Sequence, residues 1–137
     1  MLKLKISPER TIAQVQKQFN DAFPHVKLVF FHKRHQAYEG SAAKDMINEP
    51  DVLLGTLSKR VKEAEFLIEP TMPTWQLERL FETEYGLHVQ LFRQSGNLWL
   101  ETSRTDDLSI EQQNAKGHAS TRHHFPLSDP TDYREQP

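Results

Sequence analysis

The sequence predicts an α+β fold, a ferredoxin-like sandwich of two β-α-β units with an added C-terminal hairpin strand and short helix. Three observations predict it. An alternating apolar run, a helical apolar stripe and a second alternating run follow one another from Leu2 to Phe31. The same order of residue classes recurs about 62 positions later, from Phe66 to Leu91. Beyond it, Ser95-Gly96-Asn97 has the chemistry of a tight hairpin loop.

Leu2, Leu4 and Ile6 alternate with Lys3 and Lys5, which reads as a strand with one apolar face, and Ser7-Pro8 stops it. Thr11 and Gln14 have capping-box spacing, in which each side chain satisfies a free backbone N–H at a helix start. Ile12, Val15, Phe19, Ala22 and Phe23 fall on one helical stripe that Pro24 ends. Val26, Leu28 and Phe30, interleaved with Lys27, Val29 and Phe31, predict a second strand that is apolar on both faces. In the second unit Leu4 and Ile6 become Phe66 and Ile68, and the helical stripe becomes Thr74, Leu77, Phe81 and Tyr85. Gly86 then stands for Pro24-His25, and Val26, Leu28 and Phe30 become Leu87, Val89 and Leu91. Pro73 sits where a first-turn proline is tolerated.

Residues 1–117 are expected to form one domain: a first unit over 1–35, a connector over 36–62 and a second unit over 63–117. The connector reads as a polar mobile loop from Gln36 to Pro50, then one or two helical turns within Asp51–Arg60. Leu98 to Thr102 returns antiparallel to the preceding strand. A second capping box, Ser109 with Gln112, opens a short helix that Gly117 is expected to close. Residues 118–137 hold three prolines and no periodicity and are expected to be a flexible tail. Parallel pairing within each unit would need right-handed crossovers, placing both helices on one face of one sheet.

The absence of cysteine excludes disulfides, thiolate metal sites and cysteine nucleophiles. A formal net charge of -2 gives no global field to attract nucleic acid or an anionic membrane. The first ten residues lack the apolar centre of a signal peptide, and no apolar run reaches membrane-spanning length, so a cytoplasmic location is expected.

If the helices cover the face with Leu4, Ile6, Leu28, Phe30, Phe66, Ile68, Val89 and Leu91, the period of two sends Lys3, Lys5, Val29, Phe31, Glu65, Leu67, Glu69, Gln90 and Phe92 to the other. A Gly96-Asn97 loop sets Trp99 opposite Gln94 and Glu101 opposite Phe92. Val29, Phe31, Leu67, Phe92 and Trp99 would then form a charge-rimmed apolar patch, which either meets a partner or lies beneath the connector and C-terminal segment. A single-stranded nucleic acid platform would need a basic surround, and Glu65, Glu69 and Glu101 oppose it.

Candidate chemistry is sparse. His32 and His35 could ligate a metal, but the pair has no nearby carboxylate and reads better as a solvated strand-end charge cluster, and the same holds for His123 and His124 in the expected tail. Ser95, His88 and Asp106 or Asp107 could be written as a triad, though Ser95 belongs to a hairpin rather than a nucleophile elbow. Glu101, Asp106 and Asp107 could serve acid–base chemistry, yet acids before a helix also answer its dipole. The polar string Arg93, Ser95, Asn97, Arg104, Thr105, Asp106, Asp107, Gln113 and Asn114 reads either as glue pinning the last hairpin and helix or as a ligand site.

The stretch FRQSGNLWLETSRTDDLSIEQQNAKG, with RTIAQVQKQFNDAFP upstream, resembles a group of small uncharacterised proteins from Bacteroidetes-type bacteria. They share an FRxSGNxWLxTxxTDxxxxxxQNxxG-like ending after two β-α-β-like stretches. The resemblance covers residues 2–117 and implies bacterial origin and a cytoplasmic location. It supplies no catalytic residues.

The expected function is a non-enzymatic domain that self-associates as a dimer or binds a protein partner through the face bearing Phe31, Phe92 and Trp99. The alternative is a small-molecule-binding protein or enzyme with a polar pocket near Arg93, Glu101, Arg104 and Asp106. No cofactor, metal or membrane contact is implied.

Overall fold

Each alternating run forms a strand and each apolar stripe a helix. The computed structural model describes residues 1–32 and 45–122. In order these form β1 (Leu2–Ile6), α1 (Ile12–Ala22), β2 (Val26–Phe31), α2 (Leu54–Leu57), β3 (Ala64–Ile68), α3 (Thr74–Tyr85), β4 (His88–Ser95), β5 (Leu98–Glu101) and α4 (Ile110–Arg122), with a 3-10 turn at Ser103–Thr105. The architecture is α+β, with two antiparallel sheets, β1-β3 and β2-β4-β5. Both capping boxes form: Gln14 N–H donates to Thr11 Oγ1 at 3.1 Å, and Gln112 N–H to Ser109 Oγ at 3.1 Å. Each glutamine side chain returns a bond to its cap residue at 2.9 Å. Gly86 ends α3 in the left-handed region, at φ 67°.

The sheet pairing corrects the expectation. Strands of one unit do not pair in parallel; β1 pairs antiparallel with β3 and β2 with β4, across the units. The sheets are two, not the single sheet of a ferredoxin-like sandwich. The reason is the placement of α1 between the strands of its own unit. Gln18 Oε1 accepts the Lys5 N–H at 3.0 Å and its Nε2 donates to the Lys3 carbonyl at 2.9 Å. On the other side Gln16 Nε2 donates to the Leu28 carbonyl at 2.8 Å, and Asn20 Nδ2 to that of Val26 at 2.9 Å. Helix side chains thus take backbone positions that a neighbouring strand would otherwise occupy.

Each ladder contains a pair of repeat counterparts, Leu4 opposite Phe66 and Val29 opposite Gln90. Exchanging the two units therefore maps each ladder onto itself, apart from the terminal Val26–Arg93 rung. The inner faces merge in one core containing Leu4, Ile6, Phe19, Phe30, Phe66, Leu77, Phe81 and Leu91. Phe81 of α3 joins the sheets, edge-on to Phe66 at 4.9 Å and to Phe30 at 6.2 Å between ring centres.

The last helix also departs from expectation. α4 runs through Gly117 to Arg122, so residues 118–122 belong to the helix rather than to a tail. A Cβ at Gly117 would come 2.7 Å from the His25 carbonyl oxygen. The glycine permits close approach to β2 rather than ending the helix. Asn114 Oδ1 accepts the His25 N–H at 2.8 Å, and the His118 ring stacks on His25 at 4.8 Å. The mobile loop expected from residue 36 falls, up to residue 44, outside the described residues, as does the expected tail over 123–137. Residues 45–50 follow the end of β2, where Ile47 N–H donates to the Phe30 carbonyl at 2.9 Å. Among the described residues, no helix is long and apolar enough to cross a membrane.

Candidate functional site

The β4–β5 register is the expected one, Gln94 opposite Trp99 and Phe92 opposite Glu101. The aromatic face it builds is closed, however. Val29, Phe31 and Phe92 form a second apolar cluster beneath Met46 and Trp99. Phe31 is 3% exposed and Phe92 8%, and Met46 of the connector bridges to Phe31. Lys27 Nζ lies 4.7 Å from the centre of the Trp99 ring, and burial holds its pKa below the usual lysine value. Leu67, assigned to the same patch, lies on the other sheet, because β3 pairs with β1 alone.

The expected polar site gathers where β5 ends. Thr102 bonds the Leu91 carbonyl twice, through its N–H at 3.2 Å and its Oγ1 at 2.8 Å. The chain then turns into the 3-10 turn and leaves the Leu91 N–H without a strand partner. Glu78 of α3 fills that place, its Oε2 accepting from Leu91 N–H at 2.9 Å and from Gln90 Nε2 at 3.4 Å. Burial is the main force raising the Glu78 pKa, to about 8. The Leu91 N–H opposes that rise, while the charges of Asp106 and Glu101 add to it. Glu78 consequently keeps its proton at neutral pH.

Arg93 is 4% exposed and donates through Nη1 to Gln113 Oε1 at 3.0 Å. Gln113 Nε2 in turn donates to the Thr105 carbonyl at 2.8 Å, to Thr105 Oγ1 at 3.2 Å and to Thr74 Oγ1 at 3.3 Å. One buried network therefore ties together β4, α4, the 3-10 turn and α3. Asp106 is buried behind the turn and accepts the Trp75 N–H on its carbonyl at 3.0 Å, whereas Arg104 is exposed. Sequence reading missed Glu78, which adjoins Leu77 in an ordinary helical pattern. Its available signal was its repeat counterpart Gln16, which also bonds strand backbone from a helix.

The triad does not assemble. His88 opens β4 and Ser95 closes it, a separation of ~23 Å at strand rise. His88 Nδ1 lies instead 3.7 Å from Glu82 Oε2. His35, His123 and His124 are outside the described residues. Among the described residues, no group of three His, Asp or Glu is arranged to hold a metal ion.

A third feature lies at the other sheet. The Lys3 and Lys5 backbone groups point to Gln18, so Leu2, Leu4 and Ile6 make the ladder bonds to β3. By the same alternation, Glu65 and Leu67 of β3 direct their N–H and C=O groups outward. Arg10 completes the closure of β1, its Nη1 donating to the Lys5 carbonyl at 2.8 Å and to Gln18 Oε1 at 2.7 Å. The counterpart of Gln18 on α3 is Leu80, which has no polar atom to offer β3. α1 packs on both strands of its unit, whereas α3 packs chiefly on β4. Among the described residues, no group bonds the Glu65 or Leu67 backbone on this outer side. Glu63, Glu65, Leu67 and Glu69 are exposed, Leu67 to 50%.

No protein-family model matches the chain, and neither do the curated proteins or the solved structures compared with it.

Proposed function

We propose that the chain is a non-enzymatic protein-interaction domain that takes a partner strand along the outer edge of β3. The supporting observation is the asymmetry between equivalent edges: β1 is closed by Gln18, while α3 carries Leu80 at the equivalent position and packs chiefly on β4, so that β3 keeps its outward backbone groups at Glu65 and Leu67. An unpaired strand edge is a template for another strand, whose backbone bonds supply affinity. The aromatic face of Phe31, Phe92 and Trp99 is the weaker candidate, because Met46 and Trp99 already pack over the two phenylalanines. Around Arg93 the hydrogen bonds through Gln113 to Thr105 favour a structural knot over a ligand pocket.

Amide exchange tests the reading directly. In the isolated chain the Glu65 and Leu67 N–H groups should exchange fast and the Lys5 N–H, held by Gln18, slowly. Leu67→Pro removes an outward N–H without removing a ladder bond, so it should keep the fold and lose strand partners recovered by photo-crosslinking from β3. Slow exchange at Glu65 and Leu67 in the isolated chain would overturn the reading.

A further inference from the structure

The β3 edge carries a charge pattern as well as unpaired backbone. Its outward row reads Glu63, Glu65, Leu67, Glu69, three acids around one exposed leucine. The strand already paired with β3 shows what complements that row: β1 sets Lys5 opposite Glu65 and Lys3 opposite Leu67. Opposite charges directly across a ladder stabilise it, and a lysine stem can lie along an apolar neighbour while its ammonium reaches water.

A second copy of β3 fits poorly. In an antiparallel pair centred on Phe66, Glu63 falls opposite Glu69; centred on Glu65, that residue meets itself; centred on Leu67, Glu65 meets Glu69. Each register sets like charges face to face, within the strand or, as when centred on Phe66, at the residues flanking its ends, which destabilises it.

Building on the open-edge reading above, we propose that the β3 edge accepts an extended basic segment, with Lys or Arg at alternate, outward-facing positions and small or apolar residues between. Basic side chains lie opposite Glu65 and its acidic neighbours, and the backbone bonds to the outward groups of Glu65 and Leu67. The partner is thus a strand of the same type as β1, arriving at the opposite edge.

The test uses the whole chain and three fluorescent hexapeptides, alternating Val with Lys, Val with Ser and Val with Glu. The Val/Lys peptide should bind best, lose affinity as salt rises, and slow exchange at the Glu65 and Leu67 amides. Glu65→Lys should weaken it by about fivefold, the change expected when a surface attraction becomes a repulsion. Glu65→Gln, which places no new charge beside Lys5, should give a smaller loss in the same direction. Equal binding of all three peptides would overturn the basic partner while leaving the open edge standing. Binding of none, with fast Glu65 and Leu67 amides, would do the same. Slow amides in the free chain would instead overturn the edge itself. A concentration-dependent dimer abolished by Leu67→Pro would replace the basic segment with a second copy.

Discussion

Glu78 of α3 accepts the backbone N–H of Leu91 at 2.9 Å, in the place where β5 stops short of β4. A carboxyl here does the work of a strand carbonyl. Its folded pKa, about 8, lies above the ordinary 4.5, so the folded chain holds a proton that the unfolded chain releases between those values. The Glu78 contribution to stability is therefore greatest below pH 4.5, falls as pH rises toward 8 and is level above that. The total loss is on the order of a few kcal/mol, at about 1.4 kcal/mol per pKa unit. Glu78→Gln keeps an oxygen for Leu91 and removes the titration. The variant should melt several degrees higher at pH 8 than wild type and show a flatter profile between pH 5 and 8. A profile with the wild-type slope would assign the pH dependence to other groups.

Gly117 and His25 define the docking of α4. An added Cβ would lie 2.7 Å from the His25 carbonyl oxygen and 2.8 Å from its Cβ, neither of which is the yielding end of a flexible chain. Gly117→Ala gains ~1 kcal/mol of helix propensity and meets an overpacking cost of ~1–3 kcal/mol. Net destabilisation is expected in urea unfolding, with loss of the His25–His118 stacking seen as a shift of both ring signals. An unchanged midpoint would mean that α4 slides to make room.

These two residues also mark what the sequence could and could not convey. Local periodicity located β1, α1, β2, β3, α3 and β4, and side-chain and turn chemistry located the boxes at Thr11 and Ser109, the start of α4 and the loop at Gly96-Asn97. The period of two correctly assigned Leu28 and Phe30 to one face and Val29 and Phe31 to the other. It says which face a residue takes and nothing about which strand lies beside it, so the cross-unit pairing stayed hidden. Gln16 and Gln18 look like ordinary solvated helix positions; only the fold turns them into edge closures. Gly117 follows a helical run, where the local rule reads a stop, and the approach of β2 makes it a contact. Met46 shows the same limit: the apolar patch calls for a cover and the connector is one candidate, but its polar sequence does not say that Met46 is the side chain that closes the face.

The buried network around Arg93 should behave as one unit. Gln113→Leu takes the Oε1 acceptor from Arg93 Nη1 and the Nε2 donor from the Thr105 carbonyl, at a cost of ~2–4 kcal/mol. Arg93→Met alone should also be costly, because it removes the donor and strands Gln113 Oε1. The double variant should recover part of the sum, with a coupling of ~0.5–3 kcal/mol in a double-mutant cycle. Strict additivity would mean that the two side chains are not energetically linked, against the 3.0 Å contact.

The edge asymmetry between the units can be reversed with two substitutions. Gln18→Leu gives α1 the residue that α3 carries at the equivalent position. It removes the bonds to Lys3 and Lys5, at ~1 kcal/mol for each lost hydrogen bond, and should speed exchange of the Lys5 amide. Leu80→Gln makes the opposite change. Leu80 packs partly against the core, so some stability will be lost, and the new amide puts at this position the polar atoms with which Gln18 closes β1. Slower exchange at those two amides, together with weaker binding of the Val/Lys peptide, is the expected result. Core loosening alone would speed amide exchange across β3, so the direction of the change separates the two effects. Unaltered binding in a folded Leu80→Gln chain whose Glu65 and Leu67 amides have slowed would disconnect strand capture from that edge.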